Sequence, residues 1–290
     1  MATIIDLIGN TPLVEIKKLN PNPRVKIFAK LEGNNPGGSV KDRPALNMIR
    51  SAMNRGDIKP GTRLVEATSG NTGIALAMIA RLFDLEIELV MPESSTRERT
   101  LTMEAYGATV TLLKDIETCR DYAEEKIGKE NYFVLNQFAN PDNYLAHYQT
   151  TGPEIWKDTG GSITHFVSAM GTTGTIMGVS MFLKEKNPAI QIIGCQPTEE
   201  SSIPGIRRWP PAYLPKIFDP KKVDGILDVS QQEAGEMARA LARTEGIFAG
   251  MSSGGAAAAA IRLAATLSSG VIVFIVCDRG DRYLSSDLFG

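Results

Sequence analysis

Histidine is almost missing from this chain, with His147 and His165 the two present in 290 residues, and that scarcity removes several chemistries. A histidine-rich zinc centre would lack ligands, and each histidine alone is read as structural. Cysteine is equally sparse. Cys119, Cys195 and Cys277 lie far apart, make neither a disulfide framework nor a C-x-x-C metal site, and fit a reduced cytoplasmic compartment. No charge of one sign prevails: 31 Lys and Arg stand against 33 Asp and Glu, which gives no support for a nucleic-acid partner or a polybasic membrane anchor. Long apolar runs are missing as well. Residues 271–277 are strand-sized and far short of a membrane span, and residues 1–6 lack the basic and apolar regions of a signal peptide. What the chain does have is 43% apolar residues, enough to bury the core of one large domain or two lobes.

Its apolar pattern alternates strand with helix. Strands are expected at 25–31, 63–67, 86–91, 109–113, 132–135, 163–168, 190–196 and 271–277. Helices are expected from about 40, then at 72–83, 97–106, 117–127, 144–158, 174–186, 231–245 and 254–267. Residues 8–14 read as a turn entering a short extended segment. The proline-rich stretch 204–220 reads as irregular, either a mobile flap or a partner-facing segment. Such alternation argues for mostly parallel sheets covered by helices on both faces, with ligands at the carboxyl ends of the strands.

The stretch Asn34-Asn35-Pro36-Gly37-Gly38-Ser39-Val40-Lys41-Asp42-Arg43 is a Gly/Pro turn feeding a helix. Ser39 and Asp42 have the spacing of a capping box, which starts the helix near Val40, and Ala45, Met48, Ile49, Ala52 and Met53 form its core-facing stripe. Lys41 then lies against the positive end of the helix dipole, where a cation is misplaced by roughly 0.3 to 1 kcal/mol and loss of its proton is favoured. An easily neutral amine is a nucleophile. The other reading is a solvated lysine balanced by Asp42.

Two further junctions, Thr68-Ser69-Gly70-Asn71-Thr72-Gly73 and Gly171-Thr172-Thr173-Gly174-Thr175, bring glycines, side-chain hydroxyls and backbone N–H groups to helix starts. They suit a carboxylate or a phosphate, although a well-capped turn accounts equally well for the first. The second is not a G-x-G-x-x-G dinucleotide fingerprint. Gly250-Met251-Ser252-Ser253-Gly254 matches the G-x-S-x-G of esterases, but that fold needs a histidine after the serine, and both histidines precede Ser252. Gly33 to Ser39 has P-loop spacing with serine where the lysine belongs, so an NTPase reading fails. An amine, anion cradles and no histidine catalyst remain. Lysine forms Schiff bases with carbonyl compounds, and pyridoxal phosphate joins an aldehyde to a phosphate; from the residues alone that inference is open and not forced.

These pieces, with Ile8-Gly9-Asn10-Thr11-Pro12-Leu13-Val14 and Ser252-Ser253-Gly254, run in order over nearly the whole chain. Together they resemble the fold-type II pyridoxal-phosphate enzymes of the cysteine synthase and cystathionine β-synthase group. Residues 201–209 and 277–284 are similar to the B-type O-acetylserine sulfhydrylases in particular. The resemblance implies an α/β fold of two lobes, each a mostly parallel sheet flanked by helices, with the active site between them. Residues 37–141 would form the smaller, mobile lobe, and 1–36 with 142–290 the larger one that binds the cofactor.

Roles follow from the same resemblance. Lys41 is to hold the cofactor and, once released by the substrate amine, to remove the α-proton. Asn71 is to bond the ring hydroxyl oxygen, Gly171, Thr172, Thr173, Gly174 and Thr175 the phosphate, and Ser252 is to face the pyridine nitrogen. Thr68, Ser69, Asn71, Thr72 and Gln137 are to receive the substrate carboxylate. Arg207, with Arg208, is to accept an anionic sulfur donor such as thiosulfate; the alternative is a pair of surface arginines fixing a loop. Cys277 lies either near the cofactor or as a buried structural thiol. No metal is implied. A hydroxyl at the ring nitrogen stabilises a protonated ring less than a carboxylate would, which suits expulsion of a β-leaving group over transamination.

The implied protein is a cytoplasmic, homodimeric transferase that joins O-acetyl-L-serine with sulfide or thiosulfate to give L-cysteine or S-sulfocysteine and acetate. Two other readings stay open: β-elimination of the serine or threonine dehydratase type, and a noncatalytic, cofactor-binding regulatory protein. Gly290 follows soon after Leu284, so no appended regulatory domain is expected, and the ending is short for the group.

Overall fold

A computed structural model of the chain describes residues 1–68, 70–129 and 131–290. In chain order it runs β1 (Leu13–Ile16), β2 (Val25–Leu31), α1 (Asp42–Arg55), β3 (Arg63–Ala67), α2 (Asn71–Leu82), β4 (Glu86–Pro92) and α3 (Arg97–Ala105). Next come β5 (Thr109–Leu113), α4 (Ile116–Glu124), β6 (Tyr132–Val134), α5 (Pro141–Ala146), α6 (Gly152–Asp158), β7 (His165–Ala169) and α7 (Gly174–Lys186). The chain closes with β8 (Gln191–Pro197), β9 (Gly225–Val229), α8 (Gln231–Ala240), α9 (Met251–Thr266) and β10 (Gly270–Val276).

The strands sort into two sheets. One has the order β1-β2-β10-β7-β8-β9, parallel throughout except for the antiparallel β1–β2 pair. The other, β5-β4-β3-β6, is wholly parallel and draws all its strands from residues 63–134. This is the α/β arrangement that alternating strand and helix periodicities require.

Each sheet is covered on both faces, as parallel sheets must be. In the six-stranded sheet Ile27, Phe274, Ala256 and Ala260 pack on one side, and Phe166, Val273, Ile176 and Met177 on the other. In the four-stranded sheet Leu64, Leu89 and Ile74 pack on one side, and Val65, Val90, Cys119 and Ala123 on the other. Complete burial of such Ile, Leu, Val or Phe side chains contributes about 1.5–3 kcal/mol each. Two helices carry no polar face. Residues 72–80 of α2 are all buried, and so are 252–260 of α9, whose alanines let it lie close to its neighbours.

Four departures from the sequence pattern have local causes. Strand β9 was not expected, because it is an edge strand whose alternate residues face solvent and Ile226 is 44% exposed. Helix α5 starts at Pro141, ahead of residue 144, because the Asn140 side chain accepts the Asp142 N–H at 2.9 Å, and a π turn at His147–Thr151 joins it to α6. A second π turn, Leu241–Glu245, closes the helix expected over 231–245, and Gly246 at φ 72° ends it. The capping box at Ser39 and Asp42 does not form. Instead α1 begins at Asp42, whose carboxylate turns back to accept the Gly37 N–H.

No helix is long and apolar enough to cross a membrane, and no group of three or more His, Cys, Asp or Glu is placed to hold a metal ion, among the described residues.

Candidate active site

Strand ends converge on one pocket that opens to solvent. Residues following β3, β6, β7 and β10 all line it, as open parallel sheets lead one to expect.

Lys41 lies on its floor, immediately before α1. The turn that carries it is sewn to the end of β10: the Val40 N–H donates to the Cys277 carbonyl at 2.8 Å, and Ser39 bridges Asp278. Burial lowers the Lys41 pKa, while Cys277, Asp278 and Glu32 hold it partly up. The direction agrees with the sequence argument; the main cause is desolvation and not the helix terminus.

Arg43, two residues on, fastens the start of α1 to β2 and α6. Its Nε meets Glu32 at 2.7 Å and its Nη1 meets Glu154 at 2.6 Å, while Lys30 pairs with Glu154 at 2.8 Å and Asp158 at 3.1 Å. Burial opposes ionisation of Glu154, yet Arg43 and Lys30 outweigh it and bring the carboxyl down to about 2.

The β7–α7 junction forms one wall. Gly171 and Gly174 leave no room for a side chain: a Cβ on Gly171 would lie 2.6 Å from the Gly205 carbonyl oxygen, and one on Gly174 would run into the Asn143 carboxamide. Thr173 is held at φ 70°, unusual for a β-branched residue, and its buried hydroxyl has no partner among the described residues. Asn143 Nδ2 donates to Thr172 Oγ1 at 3.2 Å. Thr175 Oγ1 lies 3.3 Å from Nε2 of His147, whose Nδ1 lies 2.9 Å from Thr151 Oγ1. Burial, with Arg43 and Lys41 nearby, drives the His147 pKa well below its ordinary value, so the imidazole is a neutral support behind the loop. Gly171, Thr172 and Thr175 line the pocket, whereas Thr173 and Gly174 stand behind that lining.

The start of α2 forms another wall. Thr68 Oγ1 accepts the N–H groups of Gly70 and Gly73 at 3.2 and 3.1 Å, and Thr72 Oγ1 donates to Gln137 Oε1 at 2.8 Å. Asn71 Nδ2 donates to Asp278 Oδ2 at 2.7 Å, and its Oδ1 accepts from Arg282. Thr68, Asn71, Thr72 and Gln137 all face the pocket; Ser69 lies outside the described residues.

Ser252 lines the pocket from the first turn of α9, and among the described residues no strand leads into that turn as an esterase elbow requires. Burial and the Asp278 charge push the Cys277 thiol up to about 12, which keeps it neutral beside Lys41. Arg207 reaches the same space, its Nη1 donating to the carbonyls of Ile203 and Ile206 at 3.3 and 3.1 Å. Arg208 is spent on the loop, through the Pro197 carbonyl at 2.9 Å and an ion pair with Asp228.

Sequence reasoning missed Tyr283, Arg99 and Trp209 as pocket residues, and Asp278 as the partner of Asn71 behind the lining. Tyr283 donates to Asp278 Oδ2 at 2.8 Å, Arg99 lies over the Tyr283 ring at 5.4 Å, and Trp209 Nε1 donates to the Gly171 carbonyl at 2.7 Å. The one signal was the cluster of charges in residues 278–282, directly after a buried strand.

Comparison with known proteins gives concordant findings. The family described as "Pyridoxal-phosphate dependent enzyme" matches residues 4–278. A Pseudomonas aeruginosa protein named cysteine synthase B is 59% identical over 99% of this chain and 97% of its own length. Its Escherichia coli namesake is 55% identical over 100% of this chain and 97% of its own. The crystal structure of a cysteine synthase from Entamoeba histolytica superposes with a TM-score of 0.93 at 38% identity, covering 100% of this chain and 90% of that one.

Proposed function

The chain belongs to the family of pyridoxal-phosphate-dependent enzymes, and we propose that within it this protein is a cysteine synthase acting on O-acetyl-L-serine. A sulfur nucleophile, sulfide or thiosulfate, replaces acetate at the β-carbon and gives L-cysteine or S-sulfocysteine. The observation that carries the reading is Lys41, desolvated on the floor of a pocket with an anion loop on one wall and the α2 start on another.

The residues present fit the cofactor. Thr172 and Thr175 at the pocket and the glycine-lined entry to α7 make an anion cradle at the positive end of a helix. Gly171, Thr172, Thr173, Gly174 and Thr175 would hold the phosphate, and Ser252 the pyridine nitrogen. Asn71 keeps a second amide N–H for the ring oxygen while Asp278 takes the first. When bound, pyridoxal phosphate supplies the electron sink that lets bonds at the substrate α- and β-carbons break.

The rest falls to the chain. Lys41 Nζ, easily neutral in its buried setting, holds the cofactor and then takes the α-proton. Thr68, Asn71, Thr72, Gln137 and the α2 N-terminus orient the substrate carboxylate, with Ser69 assigned alongside them. Arg207 offers its charge to an anionic sulfur donor. The 37–141 lobe moves over the bound substrate, and two copies of the chain assemble as a homodimer. Three free cysteines support a reduced, cytoplasmic setting.

Purified protein supplied with O-acetylserine and either sulfur donor should yield the thiol product by mass spectrometry. Borohydride reduction followed by peptide mapping should leave the cofactor mass on Lys41, and Lys41→Ala should cut turnover by about 10²- to 10⁴-fold. Pyruvate released without any sulfur donor, or an adduct on another lysine, would overturn the assignment. Rates with sulfide and thiosulfate, repeated on Arg207→Ala, decide the donor, and light scattering should report the mass of two chains.

A further inference from the structure

We infer that Glu66, outside the pocket, is a positioning residue for the reaction: its buried carboxylate fixes the turn at 136–138 and thereby orients Gln137 and Thr72 toward the substrate. This rests on the proposed role of Gln137 in binding the substrate carboxylate.

Glu66 lies on β3 between β4 and β6, with 2% of its surface exposed. Both carboxylate oxygens are engaged by successive backbone amides, Oε2 by the Asn136 N–H at 2.7 Å and Oε1 by the Gln137 N–H at 3.0 Å. Hydrogen bonds to an ionised acceptor are about twice as strong as neutral ones, and here two converge on adjacent residues of one turn. Asn136 is at φ 52°, a left-handed conformation that its surroundings must impose. From this fixed turn the Gln137 side chain bridges the end of β3 to α2: Nε2 donates to the Ala67 carbonyl at 2.9 Å, and Oε1 accepts from Thr72 at 2.8 Å. Gln137 and Thr72 line the pocket, whereas Glu66 faces a separate small cavity with Arg120 and Glu124 of α4.

The arrangement needs the carboxylate ionised. A protonated carboxyl would direct an O–H at one of two N–H donors, and the turn would lose that bond. Burial pushes the Glu66 carboxyl up to about 7, against the Gln137 and Asn136 amides and the Arg120 charge, which favour ionisation. Substrate affinity should therefore weaken as pH falls through neutrality.

Glu66→Gln preserves volume but sets an amide NH₂ against a backbone N–H. It should raise KM for O-acetylserine about tenfold with kcat changed less than about twofold, the effect of one charge-assisted hydrogen bond. The wild-type rise in KM between pH 8 and 6 should vanish in the variant. Amide exchange of the peptide spanning 135–138 at fixed pH should accelerate about tenfold. In a Gln137→Ala background the substitution should add less than about twofold to KM. Wild-type KM and exchange in Glu66→Gln, or an undiminished effect in the Gln137→Ala background, would overturn the inference.

Should Glu66→Gln fail to fold, Arg120→Gln serves. It removes the cation that favours ionisation and should move the acid-side rise in KM to higher pH; an unmoved rise would overturn the inference. Exchange needs no substrate, so it judges Glu66 even if O-acetylserine turnover, which judges the proposed function, is not found.

Discussion

Lys41 shows how much one residue owes to its setting. Its position at a helix start was evident from the Gly/Pro turn, and so was the direction of its pKa shift; the desolvation that dominates the shift arises only when Cys277, Asp278 and Ile275 close around it. Gly171 is a sharper case. A Cβ there would lie 2.6 Å from the Gly205 carbonyl, and both partners are backbone, so neither can swing away. Gly171→Ala should destabilise the protein by about 1–3 kcal/mol, the ordinary result of overpacking. A lowered melting temperature, together with loss of cofactor on dialysis, would register it; a variant as stable and as well loaded as the wild type would show that the loop yields more easily than this close approach implies. The charges at 278–282 stood out in the sequence, but nothing near them indicates that Asp278 bonds Asn71 and Tyr283 in turn bonds Asp278.

Among the elements, α1 does most to place the chemistry. Its apolar stripe was plain in the sequence, and Met48, Ile49 and Ala52 are fully buried as that stripe requires. The way its first turn is anchored was not plain. Arg43 is tied to Glu32 and Glu154, and breaking such a buried pair from one side typically costs about 3–5 kcal/mol, so Arg43→Met should be severely destabilised. The same network sets an acid limit. Glu154 is held down to about 2 in the fold against an ordinary 4.5, so its stabilising effect is complete above about 4.5 and disappears as the pH falls from there through 2. Melting temperature should drop over that window, and less steeply in Glu154→Gln. An equal slope in the two proteins would place the acid sensitivity elsewhere.

At the scale of the whole molecule, one contact that spans the two sheets is aromatic. Trp209, on the irregular stretch between β8 and β9, meets Phe138 edge-on at 5.5 Å, and Arg120 of α4 lies 4.4 Å from the Phe138 ring. If the 37–141 lobe moves as proposed, this junction must open and close. Replacing Trp156 by Phe leaves Trp209 as the sole tryptophan of a chain that has two. Its emission should then change when O-acetylserine is added without a sulfur donor, and an unaltered spectrum would tell against the movement.

Local periodicity and turn chemistry alone determined the alternation of strand and helix, the parallel sheets that follow from it, and the glycine- and hydroxyl-rich junctions at the starts of α2 and α7. Those features depend on residues within a few positions of one another, where apolar spacing and capping act. Tertiary structure decided what crosses long separations: the Asn71–Asp278 hydrogen bond over 207 residues, the Arg43–Glu154 pair, the edge position of β9, and the diversion of Asp42 from helix cap to the Gly37 amide. Burial is the physical reason. It sets which charges lose water and which polar groups must find partners, and it exists only once both sheets have packed.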